Sequence, residues 1–233
     1  GFPGDLPVNA PILELERVTR TAPPGEGGGF RDLSVVWQPG DLVLFESVGG
    51  YAQGALADAI CGLVEVEEGI IRFEGRTWAE RRPDEAAAAR ARIGRVFDGP
   101  GWINNLDMDE NVTLSARYHQ IWPETEAYQQ ALNLARRLGV EEVPTGRPAH
   151  LPASELLRLQ WVRALLGPRS LVLLERPLRE MSAEWVGPLL AEVERRRTAG
   201  LAVVWLQARG EFPAAELKPT LHFKVERGNI ART

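Results

Sequence analysis

Three short runs in this chain are apolar at nearly every position, and they constrain its fold more than any other feature. They are Leu42-Val-Leu-Phe45, Ser170-Leu-Val-Leu-Leu174 and Leu201-Ala-Val-Val-Trp205. A strand with one face in water alternates polar and apolar residues. An unbroken apolar run of this length therefore reads as a strand buried on both faces, as in a parallel sheet covered by helices. Helical spacing fills the intervals. Pro123 to Gly139 carries apolar Tyr128, Ala131, Leu132, Leu134, Ala135 and Leu138, and Glu155 to Leu166 and Glu184 to Arg197 read as further helices. Strands alternating with helices predict an α/β architecture. Nearer the N-terminus, Ile12-Leu-Glu-Leu15 and Leu33-Ser-Val-Val-Trp37, separated by the Gly/Pro-rich turn Pro23 to Gly29, and the further strand Gly69-Ile-Ile-Arg-Phe73 predict a separate antiparallel layer. Pro83 to Arg92 reads as a short exposed helix leading into a strand, Ile93-Gly-Arg-Val-Phe97.

With 233 residues, 44% hydrophobic and 25% charged, the chain can bury a substantial core as one α/β domain. The expected domain is 11–233, with 1–10, which lacks an apolar pattern, as a leader. A net charge of −5 weighs against a general nucleic-acid binder. The single cysteine, Cys61, cannot form an internal disulfide and sits in an apolar helical stretch suited to packing. No apolar run approaches the ~20 residues of a membrane span. No signal peptide is evident either, so a cytoplasmic chain that meets the membrane only through a partner is expected. His119, His150 and His222 show no ligand spacing, and no metal site is expected.

The run Glu46-Ser-Val-Gly-Gly-Tyr-Ala-Gln-Gly-Ala-Leu-Ala-Asp-Ala-Ile-Cys-Gly-Leu63 leads from the first buried strand into a helix with apolar Leu56, Ile60 and Leu63. A phosphate-cradling loop, G-x-x-x-x-G-K-[ST], belongs at such a junction. Its glycines bring backbone N–H groups onto phosphates, its lysine supplies charge and its hydroxyl holds magnesium. The matching positions here are Ser47, Gly50, Ala52, Gln53, Gly54 and Ala55. Glycines at a βα turn are common, so the loop alone does not identify a nucleotide site.

Four further landmarks follow in order: Ile60-Cys-Gly-Leu63 with Glu68 to Gly75; Arg92 to Phe97 with Asn104 to Val112; His150 to Leu165; and Leu171-Val-Leu-Leu-Glu-Arg-Pro177. In this order and spacing, residues 12–230 resemble the nucleotide-binding ATPase subunit of ABC transporters. Arg117-Tyr-His119 is similar, more narrowly, to ATPases serving MCE-type lipid transporters. The resemblance implies a P-loop NTPase-like mixed sheet with an antiparallel β layer and an inserted helical subdomain at 99–168. It implies ATP and Mg2+ as ligands, a membrane permease and a second ATPase subunit as partners, and a place on the cytoplasmic face of the inner membrane.

The same comparison implies that most chemical positions have changed. The adenine-stacking aromatic is Ala22, the P-loop lysine is Gln53, the magnesium hydroxyl is Gly54 and the Q-loop glutamine is Asp98. The signature segment reads Leu151-Pro152-Ala153-Ser154-Glu155. The Walker B aspartate is Glu175, the catalytic glutamate is Arg176, the D-loop aspartate is Ser182 and the switch histidine is Gln207. Glutamine brings no charge to a triphosphate, and a guanidinium stays protonated and cannot activate water. Phosphoryl transfer rests on positioning and charge, so little is left to compensate. The expectation is a catalytically degenerate subunit that needs no cofactor and acts as scaffold or regulator of a transport complex. The alternatives are a divergent working ATPase, with Glu175 holding magnesium and Asp98 sensing it, and a free-standing ligand sensor. Gln53, Asp98, Arg176 and Gln207 are expected to be solvated or mutually paired, Ser154 to cap a helix, and Glu175, Arg176, Arg179 and Glu180 to form an ion-pair cluster. The apolar set Trp102, Ile103, Leu106 and Met108 reads either as a groove for a permease helix or as core.

Overall fold

The computed structural model describes residues 10–21, 29–48, 54–99 and 101–233. Its strands are β1 (Leu13–Arg20), β2 (Phe30–Trp37), β3 (Leu42–Val48), β4 (Glu68–Phe73), β5 (Arg76–Thr77), β6 (Ile93–Val96), β7 (Leu171–Glu175), β8 (Ala202–Ala208), β9 (Leu221–Glu226) and β10 (Asn229–Arg232). Its helices are α1 (Gly54–Ile60), α2 (Pro83–Arg90), α3 (Met108–Tyr118), α4 (Glu124–Arg137), α5 (Ala153–Leu165), α6 (Val186–Thr198) and α7 (Ala214–Leu217).

The expected two layers are present. One sheet, in the order β2-β1-β4-β5, is antiparallel; the other, β10-β9-β3-β8-β7-β6, is parallel except at its β10 edge. The unbroken apolar runs become β3, β7 and β8 at the middle of the second sheet, and their period of two divides each run between two cores. On one face Leu42, Leu44, Val172, Leu174, Val203 and Trp205 join the apolar sides of α3, α4, α5 and α6. On the other, Val43, Phe45, Leu171, Leu173, Val204 and Leu206 meet α1 and the antiparallel layer. Cys61 is buried in this second core, and burial pushes its thiol up to about 11.

Helix α3 and the C-terminal hairpin of β9 and β10 lay outside the sequence expectations although their signals were present. Helix α3 opens with Asp107, whose N–H donates to Glu110 Oε2 at 2.9 Å, the Asp-x-x-Glu form of a capping box. The C-terminal hairpin alternates buried Phe223 and Val225 with exposed Lys224 and Glu226. It turns at Arg227 and Gly228, whose φ values of 50° and 81° suit a tight hairpin. Residues 1–9 of the expected leader, 1–10, lie outside the described residues. The stretch between β6 and β7 carries α3, α4 and α5, which share one apolar cluster with the sheet. Among the described residues no helix is long and apolar enough to cross a membrane.

Candidate functional site

Parallel strands β3, β6, β7 and β8 end at the same edge of the sheet, where α/β folds place their ligands. Gly54, Asp98, Glu175, Arg176 and Gln207 converge there. Ser47, next to the end of β3, is buried, and its hydroxyl donates to the Gln207 carbonyl at 3.4 Å. Gly54 and Ala55 open α1. The remaining expected loop residues Gly50, Ala52 and Gln53, and the adenine position Ala22, lie outside the described residues.

The decisive feature is an arginine that the sequence reading passed over. Arg95 projects from β6 toward α1, where its Nε donates to Glu175 Oε1 and its Nη1 to Asp58 Oδ1, each at 2.5 Å. The Glu175 side chain is 5% exposed and that of Arg95 11%, so this pairing lies almost wholly out of water. The guanidinium also covers the Phe97 ring at 4.5 Å. A Cβ placed on Gly54 would lie 3.5 Å from Glu175 Oε2 and 3.9 Å from Arg95 Nη2, which sets the triad against the first turn of α1. Burial pushes the Glu175 carboxyl up, and the hydrogen bond and charge of Arg95 oppose it. The signal for Arg95 was a lone charge inside an otherwise apolar strand, two residues from buried Ile93 and therefore on its face.

A second assembly occupies the opposite face of the same edge. Gln207 is 1% exposed; its Nε2 donates to Glu46 Oε1 at 3.0 Å and to the Phe212 carbonyl at 2.8 Å. Its Oε1 accepts from Trp205 Nε1 at 3.0 Å, and His222 Nε2 lies 2.8 Å from Glu46 Oε2. The side chain at the switch position thus belongs to a filled polar network.

A third assembly ties loops together across the edge. Arg176 has φ 43°, in the left-handed region, and its N–H donates to the Leu206 carbonyl at 2.7 Å. Its guanidinium pairs with Glu211 at 3.1 Å and with Asp98 at 3.5 Å, and Arg179 lies 3.9 Å from the same Asp98 oxygen. The expected cluster of Glu175 with Arg176, Arg179 and Glu180 is therefore corrected. Glu175 turns to the opposite face and pairs with Arg95, and the acids facing the two arginines come from the loops after β6 and β8.

Two other expectations change. Ser154 is not a cap: α5 starts at Ala153 with Pro152 as its N-cap, whose fixed φ of −67° suits that place, so Ser154 falls within the first turn. The signature stretch lies at the surface, with Pro152, Ala153 and Ser154 exposed and Leu151 and Glu155 half-buried. Of the apolar set, Met108 at 0% and Trp102 at 9% exposure are core residues; Leu106 is half-buried and Ile103, at 43%, is open. Met108 faces inward because the first turn of α3 packs on α4 and α5, and Trp102 because Arg163 stacks over it at 4.3 Å. Ile103, in the loop before α3, and Leu114 and Tyr118, one turn apart on α3, are exposed. Asn111 holds this loop, taking the Ile103 N–H on Oδ1 and donating Nδ2 to the carbonyls of Ile103, Leu106 and Asp107.

Among the described residues, the carboxylate aligned with the metal position is already paired. The carboxylate that would face the metal, Glu175, is held by a guanidinium that a dication would have to displace against its own charge repulsion. Among the described residues no cluster of His, Cys, Asp or Glu has the makings of a metal site.

A family profile described as ABC transporter matches residues 50–179. The glutamate transport ATP-binding protein GluA of Corynebacterium efficiens is 26% identical over 173 residues, covering 74% of this chain and 71% of that protein. The pyoverdine export ATP-binding/permease protein PvdT of Pseudomonas entomophila is 27% identical over 216 residues, covering 89% of this chain but only 32% of its own length. Among solved structures, a dimeric ATP-binding cassette in a post-hydrolysis state bound to ADP and Pi superposes with a TM-score of 0.82 at 19% identity, covering 95% of this chain and 97% of that one. A nucleotide-free ATP-binding cassette from an ABC transporter gives 0.73 at 17% identity, covering 96% and 91%.

Proposed function

Because this chain belongs to the ABC transporter family, we propose that it serves a transport complex as an ATPase-type subunit that no longer hydrolyses ATP, scaffolding or restraining its membrane permease. The observation that carries this reading is the Arg95 guanidinium wedged between Glu175 and Asp58 at the start of α1. A fixed positive charge satisfies the carboxylate that a working site must offer to a metal. Arg176 supports the reading from the next position, since it is engaged with Glu211 and Asp98 and cannot act as a base. The exposed signature segment, without glycines, gives an opposing subunit's phosphates no close approach to backbone N–H groups.

The partners in this reading are a permease and a second ATPase subunit, and the chain meets the membrane from the cytoplasmic side through the permease. That a relative such as PvdT is named as both ATP-binding and permease protein supports the pairing. The docking surface is Ile103 with Leu114 and Tyr118, which replaces the more buried set expected from sequence.

Calorimetric titration of the purified chain with Mg-ATP tests this reading. Affinity no better than roughly millimolar is expected, because several contacts of about 1.5–3 kcal/mol each are missing. The single variant Gln53→Lys should remain without turnover, since Arg95, Arg176 and the signature segment each block a separate requirement. Low-micromolar binding by the natural chain, or ATPase activity in that variant above a blank preparation, would overturn it.

A further inference from the structure

At the opposite end of β7 lies a cationic cavity that none of these assemblies uses. β7 is five residues long, which places the loop at 166–168 about 16 Å along the strand from Glu175. Here α6 carries Glu192, whose side chain is 2% exposed. It accepts from Arg137 Nε at 3.2 Å, from Arg195 Nε at 2.9 Å and Nη2 at 2.7 Å, and from Arg196 Nε at 2.7 Å.

One carboxylate thus faces three guanidiniums, leaving a surplus of two positive charges in a chain whose net charge is −5. Part of the cluster needs no ligand, because Arg195 and Arg196 close the last turn of α6, where the helix dipole favours cations. Arg137 closes the last turn of α4 in the same way, yet its guanidinium reaches across to Glu192 of α6. Together with Arg196 it lines a cavity of about 450 Å³. Trp122 and Gln130 also line it, over an apolar floor of Leu134 and Leu166, and among the described residues no carboxylate does. Glu192 grips both arginines at Nε, so Arg137 Nη2 and both Nη groups of Arg196 make no hydrogen bond among the described residues. Paired donors in a fork beside an aromatic wall and a greasy floor match a particular chemistry: an anionic head on an apolar body.

We propose that this cavity binds a small amphiphilic anion, a phosphate or carboxylate bearing an aliphatic or aromatic group. The head is taken by the free Nη groups of Arg137 and Arg196, and the body lies between Trp122 and the leucine floor. The site is independent of the nucleotide edge and does not depend on whether that edge binds ATP.

Octyl phosphate, kept below the concentration at which it forms micelles, is the probe for calorimetry on the full chain, with inorganic phosphate and octanol as separate arms. Octyl phosphate should bind saturably, and both other arms at least about tenfold more weakly, since each supplies half of the recognition. Arg137→Gln and Arg196→Gln should each weaken octyl phosphate about tenfold, while Arg82→Gln, an exposed charge on another face, should change nothing. If Arg196→Gln loosens the fold, Arg137→Gln still leaves Glu192 paired with two arginines. In the natural chain the indole N–H resonance assigned to Trp122 by Trp122→Phe should move on titration. Absence of saturable binding below roughly 10 mM, unchanged affinity in Arg137→Gln, or an unmoved Trp122 resonance would each overturn the proposal.

Discussion

Arg95 and Glu192 show how single charges are held inside this molecule, and each makes a prediction at the scale of one side chain. Removing the guanidinium in Arg95→Met leaves Glu175 buried beside Asp58 with no counter-charge, and should cost about 3–5 kcal/mol in urea unfolding. The double variant Arg95→Met/Glu175→Leu should regain most of that loss, because replacing both partners removes the unpaired charge along with the pair. Burial alone would raise the Glu192 carboxyl, but hydrogen bonds from Arg195, Arg196 and Arg137 outweigh it and bring it down to about 2. With its folded value below its unfolded one, Glu192 gives its full stabilisation above pH ~4.5 and loses it as pH falls toward 2. The contribution is about 3 kcal/mol. Stability measured against pH should therefore drop more steeply across that window in the natural chain than in Glu192→Gln. A stability gap between the two proteins that stays constant from pH 5 to pH 2 would contradict this assignment.

Between elements, the tightest constraint is the approach of α5 to β6. A Cβ on Gly94 would lie 1.9 Å from the Ala164 carbonyl oxygen, so helix backbone rests directly on strand backbone. Gly94→Ala should cost about 3 kcal/mol or more, read by chemical denaturation, because no flexible side chain is there to give way. The same approach places Gln160 of α5 where its Oε1 accepts from the Phe97 N–H at 2.9 Å and its Nε2 donates to the Gly99 carbonyl at 2.9 Å, fixing the chain as it leaves β6 toward Asp98. In the sequence, Gly94 is one glycine in a short strand. Nothing within the strand says that a helix some seventy residues later will lie on it, since that contact is set by the crossover between β6 and β7.

For the molecule as a whole, the reading is a subunit that docks without turning over. Co-purification with a permease should persist in the natural chain and fall sharply in Ile103→Glu, which sets a charge on the open part of the apolar surface without entering the core. Absence of association in the natural chain would favour a free-standing sensor instead. The sequence by itself determined the layers. Apolar runs without alternation can be satisfied only by burial on both faces, and β3, β7 and β8 stand where Leu42–Phe45, Ser170–Leu174 and Leu201–Trp205 placed them. Through its resemblance to ABC ATPases it also assigned Arg176 and Gln207 to the positions of the catalytic glutamate and the switch histidine. Tertiary structure alone decided what the replacements do. Glu175 pairs with Arg95 and not with its neighbour Arg176 because successive side chains of a strand point to opposite faces, and the arginine it meets comes from a strand eighty positions away in the chain. Likewise Trp102 and Met108, indistinguishable by hydrophobicity from Ile103, are buried because of where α3 and α5 pack. Composition fixes how much apolar surface must be hidden, but only packing decides which residues hide it and which are left for a partner.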